Sequence, residues 1–335
     1  MILVTGGSGF VGRHVVQALL AQSRAARVLD LLPWPAAPQS VEIMQASIRN
    51  ETALKLALRG VTGVIHLAAI TNLWRRNPRD FTTINAEGAK IIAQACAREG
   101  IKRFVYVSSH TTLIAGKPGL QEIHVNERND PPIEALLGAY PRSKREGERL
   151  VMALSGAGTE MVCAIPTLPA GPGDISRTSP TKLLLSLSRG RLPAILEASM
   201  NFIDVRDLAR SLIAALDHGR AGERYLLSGN DLMLSQVAQL MGAFTGHKGT
   251  LPHVPYRMAL AAAGLEEALG ALTGRMPNAP LTGVRLAGRQ VSFVGSKAIS
   301  ELDHQCRPFA ETLRDFLDWA EGLKPKKRPK QKALI

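Results

Sequence analysis

A phenol and an amine stand four residues apart in the segment 137–146, at Tyr140 and Lys144. If this segment is helical, the spacing places both side chains on one face. A free phenol has a pKa of about 10, and a neighbouring ammonium favours the phenolate and lowers that value. The pattern therefore predicts an acid–base pair that exchanges a proton with a substrate oxygen near neutral pH.

A hydroxyl precedes this pair by about thirty residues, where the apolar run 104–107 ends at Ser108 and Ser109. The run reads as a strand, and open parallel sheets bind their ligands at the carboxyl ends of the strands. From that edge Ser109 can donate a hydrogen bond to a substrate carbonyl and stabilise the developing oxyanion. A tyrosine and a lysine at this spacing are common by chance, so the preceding serine is what makes the interpretation specific.

A glycine-rich turn follows the first apolar run, Ile2 to Thr5, and a helical pattern begins directly after it. A strand, a tight turn and a helix N-terminus in this order are typical of a site for the pyrophosphate of a dinucleotide. The turn residues that we predict to contact the cofactor are Gly6, Gly9, Phe10, Val11 and Gly12.

Asp30 ends the second predicted strand, roughly twenty residues beyond the turn. A carboxylate there accepts hydrogen bonds from the adenosine ribose hydroxyls and repels a 2′-phosphate. Leu31 occupies the position where an NADP-dependent enzyme would place an arginine, so NAD is the predicted cofactor. NADP stays the alternative, with Arg13 or Arg27 as the phosphate ligand. Tyr140 and Lys144 are also predicted to contact the cofactor, Lys144 through the nicotinamide ribose hydroxyls.

Short aliphatic runs alternate with helical patterns through the first half of the chain, which predicts a parallel sheet covered on both faces. The predicted strands are 2–5, 26–29, 41–44, 63–67, 103–108 and 160–164, and the predicted helices are 11–20, 52–58, 86–98 and 140–154. The fold class is α/β, with a Rossmann-type, doubly wound parallel sheet.

The second half of the chain is predicted to contribute a smaller, mostly helical C-terminal substrate domain that interleaves with the first. We assign residues 1–165 to the NAD-binding domain, with a returning segment near 201–229. Residues 166–200 and 230–322 form the substrate domain, and residues 323–335 a basic flexible tail.

The formal net charge is +13, and six of these charges lie in the tail segment 324–332. A solvated tail is the simple interpretation, and weak contact with an anionic membrane surface is the alternative. Aromatic residues make up 4% of the chain, which argues against a specific nucleic-acid partner. Cys96, Cys163 and Cys306 are isolated from one another, so we expect no disulfide framework, no metal site and a cytoplasmic location.

Several motifs taken in order resemble the extended short-chain dehydrogenase/reductase (NAD-dependent epimerase/dehydratase) family. They are TGGSGFVG at 5–12, HLAA at 66–69, VYVSS at 105–109, YPRSK at 140–144 and NFIDVRDLA at 201–209. Further segments, among them IPTLPAGPGD at 165–174, are similar to the dihydroflavonol-reductase-like branch and, within it, to the hopanoid-associated sugar epimerases. The resemblance implies a Rossmann body, an NAD(P)-dependent enzyme and a homodimer.

The resemblance also assigns roles to individual residues. It places Leu67, Ala68 and Ala69 along the cofactor cleft, Asn85 at the start of the helix beneath the site, and Pro166 with Thr167 beside the nicotinamide. Ser47 and Ile48 stand where relatives often carry an aspartate and an aliphatic residue against the adenine, which weakens that contact. Ile165 replaces a frequent arginine, and we interpret it as an apolar wall that favours a less polar substrate.

Each of the remaining candidate functional residues has two possible roles. We interpret His66 as a packed histidine and His110 as a weaker candidate for facing the substrate, with Thr111 as the substitute catalytic hydroxyl. Trp34, Trp74 and Met258 are read chiefly as packing residues.

Three functions compete for the chain. The first is an NAD(P)-dependent reductase or dehydrogenase acting on a ketone or secondary alcohol of a fairly apolar small molecule. The second is a sugar epimerase or dehydratase that retains its NAD, for which Arg206, Arg285 and Arg289 are the candidate polar clamps. The third is a non-catalytic dinucleotide-binding scaffold, which the intact set of serine, tyrosine and lysine disfavours.

Overall fold

A seven-stranded parallel sheet forms the body of the protein, in a computed structural model that describes residues 1–116, 119–156, 158–247 and 249–322. The strands of this sheet are β1 (Ile2–Thr5), β2 (Ala26–Asp30), β3 (Glu42–Gln45), β4 (Gly63–His66), β5 (Arg103–Val107), β7 (Glu160–Pro166) and β10 (Arg224–Leu227). Their order in the sheet is β10-β7-β5-β4-β1-β2-β3, so the direction of winding reverses between β1 and β4.

Helices cover both faces of the sheet, as the alternating sequence pattern predicts. The helices of the first half are α1 (Phe10–Ala21), α2 (Glu51–Leu58), α3 (Arg79–Phe81), α4 (Gly88–Arg98) and α5 (Ala139–Met152), with a π-helical segment Thr82–Glu87 joining α3 to α4. The helices of the second half are α6 (Ser179–Ser188), α7 (Val205–His218), α8 (Leu234–Thr245), α9 (Tyr256–Thr273), α10 (Leu281–Ala287), α11 (Ser296–Leu302) and α12 (Phe309–Gly322).

Each face of the sheet has its own apolar core because successive strand residues point to opposite sides. Val4 of β1 packs with α1 and α7 in one core, whereas its neighbour Leu3 packs with α2 and α4 in the other. Both side chains are fully buried. The predicted Rossmann-type α/β fold is therefore confirmed.

The chain returns to the body after its first excursion, in the region where the returning segment is predicted. Helix α7 packs against α1, and β10 adds the last strand to the sheet beside β7. A third apolar core lies among α6, α8 and α12 and belongs to the smaller part of the molecule. The domain boundaries given above remain a prediction.

The smaller part contains two sheets that the sequence analysis did not predict. Strands β8 (Leu168–Ala170), β9 (Ser199–Asp204) and β11 (Asn230–Met233) form one, and β6 (Gly119–Val125) pairs with β12 (Arg289–Phe293) in the other. Strand β6 therefore joins the body's sequence range to the C-terminal part.

The composition raised the questions of membrane contact and of a basic tail. Within the described ranges, no helix combines the length and apolar character needed to cross a bilayer. The predicted basic tail lies outside the described residues.

Candidate active site

The glycine turn leaves no room for side chains between β1 and α1. A Cβ atom on Gly12 would lie 2.3 Å from the Gly6 carbonyl oxygen, and one on Gly6 would lie 2.7 Å from the Ala68 amide nitrogen. Gly6 also has a φ of +69°, which favours glycine. Helix α1 then begins at Phe10 with Gly9 as its N-cap, and no side chain caps it. Its first amide groups and positive dipole end are thus available to an anion.

Asp30 lies beside this turn, at the carboxyl end of β2. One carboxylate oxygen accepts a hydrogen bond from the Ser8 amide and the other from the Leu32 amide, each at 2.9 Å. These contacts fix the carboxylate at the turn. A carboxylate oxygen can accept more than one hydrogen bond, so acceptor capacity remains for the two hydroxyls of a ribose.

The two arginines considered for a 2′-phosphate are both engaged. The Arg27 guanidinium donates to the Ala57 and Arg59 carbonyls and pairs with Glu42. The Arg13 Nε atom donates to the Ser8 carbonyl at 2.7 Å, and its guanidinium lies over the Trp34 ring. Arg27 is therefore excluded as a phosphate ligand in this arrangement, whereas the Asp30 carboxylate and the Arg13 guanidinium both contact Ser8 of the turn.

The loops that follow the next strands complete the cleft edge. The Leu67 amide bonds the Thr5 carbonyl at 3.0 Å, and Ala68 contacts Gly6, so this segment lies against the glycine turn. Ala69 is half-buried beside it. Ile48 is buried against Gly88, and the Ser47 hydroxyl accepts from the Arg49 amide.

Ser109, Thr111 and Tyr140 come together at the carboxyl end of β5. The Ser109 and Thr111 hydroxyl oxygens are 3.0 Å apart, and the Ser109 hydroxyl lies close enough to the Tyr140 phenol to lower its pKa. Both Ser109 and Tyr140 are 7% exposed. The structure thus joins the predicted hydroxyl, its substitute and the phenol in one buried cluster.

Lys144 does not act on Tyr140 as predicted. Its ammonium donates to the Val107 carbonyl at 2.6 Å and lies over the Tyr106 ring. Burial raises the pKa of Tyr140, and the Ser109 hydrogen bond offsets part of that rise. Burial also lowers the pKa of Lys144, to about 8. The predicted lowering of the phenol's pKa by the lysine is wrong for this state, because burial is the largest cause of the shift and the ammonium is turned to the Val107 carbonyl.

Helix α5 begins beside the site, with a glycine before its first turn and a proline within it. Gly138 precedes the helix with a φ of +112°, and Pro141 sits in the first turn, where no intrahelical amide donor is needed. Asn85 then fixes the helix position: its amide bonds both backbone groups of Ile70 and donates to the Ser143 hydroxyl. Asn85 lies inside the π-helical segment, and not at the start of a helix as predicted.

A buried carboxylate on the same helix escaped the sequence analysis. Glu148 is 1% exposed and accepts from the Ser108 hydroxyl at 3.0 Å. It also pairs with Arg145 and with the Arg224 Nε atom. Its charge opposes the lowering of the pKa of Lys144. The spacing of four residues from Lys144 was the available signal, since both side chains then share one helix face.

The two histidines considered as functional candidates, His66 and His110, have different surroundings. His66 is 1% exposed and bonds the Thr5 hydroxyl at 2.7 Å, which confirms its packing role, and burial lowers its pKa to about 3. His110 bonds the Pro166 carbonyl and packs against Phe293. Burial lowers the pKa of His110 to about 4, so it stays neutral and held by backbone.

The residues around the end of β7 do not all have the surroundings that were predicted for them. Thr167 is buried and bonds the Leu227 carbonyl, and Pro166 is held by His110. Ile165 is fully buried in the core between the strands. Ile165 therefore forms no wall of an open cleft, because alternation along β7 turns its side chain into the sheet's core.

The arginines considered as ligands for a sugar nucleotide, and the residues considered for a substrate pocket, have other surroundings in the structure. Arg206 is bound by Asp204 and Asp315, and Arg289 is buried and donates to the Gly116 carbonyl. Arg285 is exposed on α10. Trp34 is packed in the core, whereas Met258 is 64% exposed and does not line a pocket.

The donor and acceptor set fits a dinucleotide: a glycine cradle, an uncapped helix N-terminus and a carboxylate at the second strand stand together at the winding reversal of the sheet. With the buried hydroxyl cluster beside them, the fold and the site define an NAD-dependent oxidoreductase or epimerase of the short-chain type. Residues 2–228 match the model of the NAD dependent epimerase/dehydratase family, and the chain belongs to that family. NAD is its cofactor.

The chain is similar over nearly its whole length to a Synechocystis sp. protein named "Putative dihydroflavonol 4-reductase", with 29% identity over 95% of this chain and 94% of the relative. It is 27% identical to sterol demethylase protein B of Methylococcus capsulatus over 80% of this chain and 81% of that one. The crystal structure of gox2253 superposes with a TM-score of 0.80 at 26% identity, covering 96% of this chain and 98% of the other.

Proposed function

We propose that this protein is an NAD-dependent reductase or dehydrogenase that acts on a ketone or secondary alcohol of a fairly apolar small molecule. The observation that carries the proposal is the buried cluster of Ser109, Thr111 and Tyr140, beside the glycine turn at the carboxyl edge of the sheet. Such a cluster suits proton transfer to and from a single substrate oxygen.

In this proposal the residues at the winding reversal of the sheet would hold the cofactor. The turn from Gly6 to Gly12 would bind the pyrophosphate, and Asp30 would accept hydrogen bonds from the adenosine ribose hydroxyls. Ser47 and Ile48 would contact the adenine, and the loops at 67–69 and 166–167 would border the remainder. The Lys144 ammonium, buried under the same edge, would donate to the nicotinamide ribose. When bound, NADH would supply the hydride for reduction of the substrate carbonyl.

The protein's own groups handle the proton. Ser109 donates a hydrogen bond to the substrate carbonyl oxygen and stabilises negative charge as it develops there. Tyr140 then gives its proton to that oxygen, which leaves a neutral alcohol. A raised pKa keeps the phenol protonated at neutral pH, so it suits the donor's role in reduction. The pKa of about 8 keeps Lys144 mostly charged under the same conditions.

Two findings support an apolar substrate. The relatives reported above are named for a dihydroflavonol and for sterols. In addition, Arg206 is neutralised by two aspartates and so offers no free charge to a sugar nucleotide diphosphate. A sugar epimerase or dehydratase is the second candidate, because the family description includes both activities.

We expect Tyr140→Phe to abolish turnover while leaving the cofactor site intact. Removing the proton donor should lower the rate of NADH consumption with a dihydroflavonol or a 3-ketosteroid by about 10²–10⁴-fold. NADH binding, followed by fluorescence titration, should change far less than turnover, because only one hydroxyl is removed and the glycine turn, Asp30 and Lys144 are unchanged. Tyr256→Phe, which removes a phenol elsewhere, is the control and should keep its rate.

The same assay separates the two candidates. An epimerase interconverts UDP-sugars without net change in NADH absorbance, whereas a reductase consumes NADH. Epimerisation of UDP-glucose with no net oxidation of NADH by any ketone would contradict the reductase proposal. We further propose a homodimer in the cytoplasm, supported by the family resemblance and by three thiols that form no disulfide.

A further inference from the structure

Helix α9 exposes its apolar residues. The positions that point outward at helical spacing form a continuous uncharged surface, which we call the α9 stripe: Met258, Ala261, Leu265, Ala268, Leu269 and Leu272. The exposed fractions of Leu265, Leu269 and Leu272 are 64%, 52% and 79%. Surface helices normally turn such a face toward the core.

The two glutamates of the same helix bind the loop that follows it. Glu266 accepts hydrogen bonds from the amides of Asn278 and Ala279 at 2.9 and 3.2 Å. Glu267 accepts from the Leu281 amide at 2.7 Å. These bonds fasten the loop between α9 and α10 and fix the rotation of α9. The outward direction of the α9 stripe is therefore enforced by specific contacts.

Guanidinium groups border the α9 stripe. Arg257 and Arg275 lie at its two ends, and Arg75 and Arg76 lie on the loop beside its C-terminal end, where Arg76 approaches Gly274. All four are exposed, and within the described ranges none has an ion pair or a side-chain hydrogen bond. An unbalanced positive rim around an apolar surface is complementary to phosphate groups above hydrocarbon.

The α9 stripe also adjoins the candidate active site. Helix α10 packs on α9, and its Thr282 lies against Gly138, two residues before Tyr140. The Trp74 ring, on the loop that follows β4, packs against Gly270 of α9. The stripe is thus connected directly to the elements that carry the site.

We infer that the α9 stripe and its four arginines form a docking surface for an anionic lipid bilayer, with α9 lying in the headgroup interface. The apolar side chains enter the boundary with the acyl chains, and the guanidinium groups contact lipid phosphates. Docking does not depend on the proposed function, although it would place the site where apolar substrates are concentrated.

A second copy of the chain is a poorer occupant. In a two-fold symmetric contact each stripe faces its own equivalent, so the arginine rims of the two copies also face each other. Four unpaired guanidinium groups on each side would repel, whereas an anionic membrane neutralises them. Charge complementarity therefore favours lipid.

The test is sedimentation of the full chain with vesicles of phosphatidylcholine and phosphatidylglycerol in equal parts, compared with phosphatidylcholine alone. We expect Leu265→Gln combined with Leu272→Gln to weaken binding to the anionic vesicles by about tenfold or more. The matched control combines Leu56→Gln and Ile299→Gln, which remove exposed apolar residues on α2 and α11, and should bind as the parent does.

A second pair of variants tests the charges. Changing Arg75, Arg76 and Arg275 to Gln should remove most of the preference for anionic vesicles, whereas changing the exposed Arg49, Arg59 and Arg98 to Gln should leave it. All proteins keep the 324–332 segment. Unchanged vesicle binding by the stripe variant, with circular dichroism showing a folded protein, overturns the inference. So does loss of self-association, measured by analytical ultracentrifugation, without loss of lipid binding.

Discussion

Burial shifts the pKa values of Tyr140 and Lys144, two side chains on α5, in opposite directions. It raises the pKa of the Tyr140 phenol and lowers that of the Lys144 ammonium to about 8. Both shifts favour the neutral form, which is the general effect of removing a group from water. For Tyr140 the neutral form is the proton donor, so the environment of the phenol favours the reductive direction in the proposed chemistry.

The buried His66 side chain should make the stability of the fold decrease at acidic pH. Its folded-state pKa of about 3 lies below the ordinary value of 6.5, so the unfolded chain binds more protons between these pH values. The contribution of His66 to the free energy of unfolding should thus be fully present above pH 6.5. It should decrease as the pH falls toward 3, by on the order of 1.4 kcal/mol per pH unit. Urea unfolding at a series of pH values measures this slope.

His66→Asn should reduce the slope, since the buried imidazole no longer has to take up a proton on unfolding. Part of the slope should remain because the pKa of His110 is also lowered, to about 4. Replacing the exposed His218 by Asn should leave the slope unchanged. Equal slopes for the parent and His66→Asn would contradict the assignment.

At the scale of elements, the glycine turn and α5 form from local signals. The strand, the turn and α1 follow from apolar runs and glycines that are adjacent in sequence. The observed bounds of β1 are those predicted, and α1 is longer than predicted by one residue at each end. The small sheets were missed because their strands are short and distant in sequence: β6 pairs with β12 across more than 160 residues. Periodicity within a short window contains no information about such a partner.

Two glycine-to-alanine changes should have opposite effects. At Gly12 the new Cβ would meet the Gly6 carbonyl at 2.3 Å, so Gly12→Ala should destabilise the fold by about 1–3 kcal/mol and weaken NAD binding. At Gly264, inside α9, nothing lies within 4 Å, and Gly264→Ala should stabilise by about 0.5–1 kcal/mol. Thermal unfolding and calorimetric NAD titration measure both. A Gly12→Ala protein that binds NAD normally would show that the turn does not hold the pyrophosphate.

On the scale of the whole molecule, a buried ionic cluster joins the returning helix α7 to the C-terminal part. Asp207 of α7 is 1% exposed and accepts hydrogen bonds from both the backbone amide and the guanidinium of Arg307. Asp204, which begins α7, accepts from Thr312 of α12 at 2.8 Å. These contacts hold the C-terminal helix against the body.

Asp207→Ala should therefore destabilise the protein far more than a comparable surface change. The change removes the charged hydrogen bonds between the buried carboxylate and Arg307, which keeps only its longer contact of 3.5 Å with Asp204, at a cost of about 1.5–3 kcal/mol. Asp217 pairs with Arg24 at the partly exposed surface, so Asp217→Ala should cost about 0–1 kcal/mol. Chemical denaturation compares the two variants, and similar losses would show that the cluster is not what joins the two parts.

The sequence alone determined the features that depend on near neighbours. Alternating apolar periods specified the doubly wound sheet, adjacent glycines specified the turn, and the spacing of Tyr140 and Lys144 specified a shared helix face. Only the tertiary structure decided what surrounds each side chain. It placed Ile165 in the core, neutralised Arg206, turned the Lys144 ammonium to the Val107 carbonyl and buried Glu148 beneath the site. The physical reason is that desolvation and ion pairing depend on residues brought together from distant parts of the chain, which no local pattern encodes.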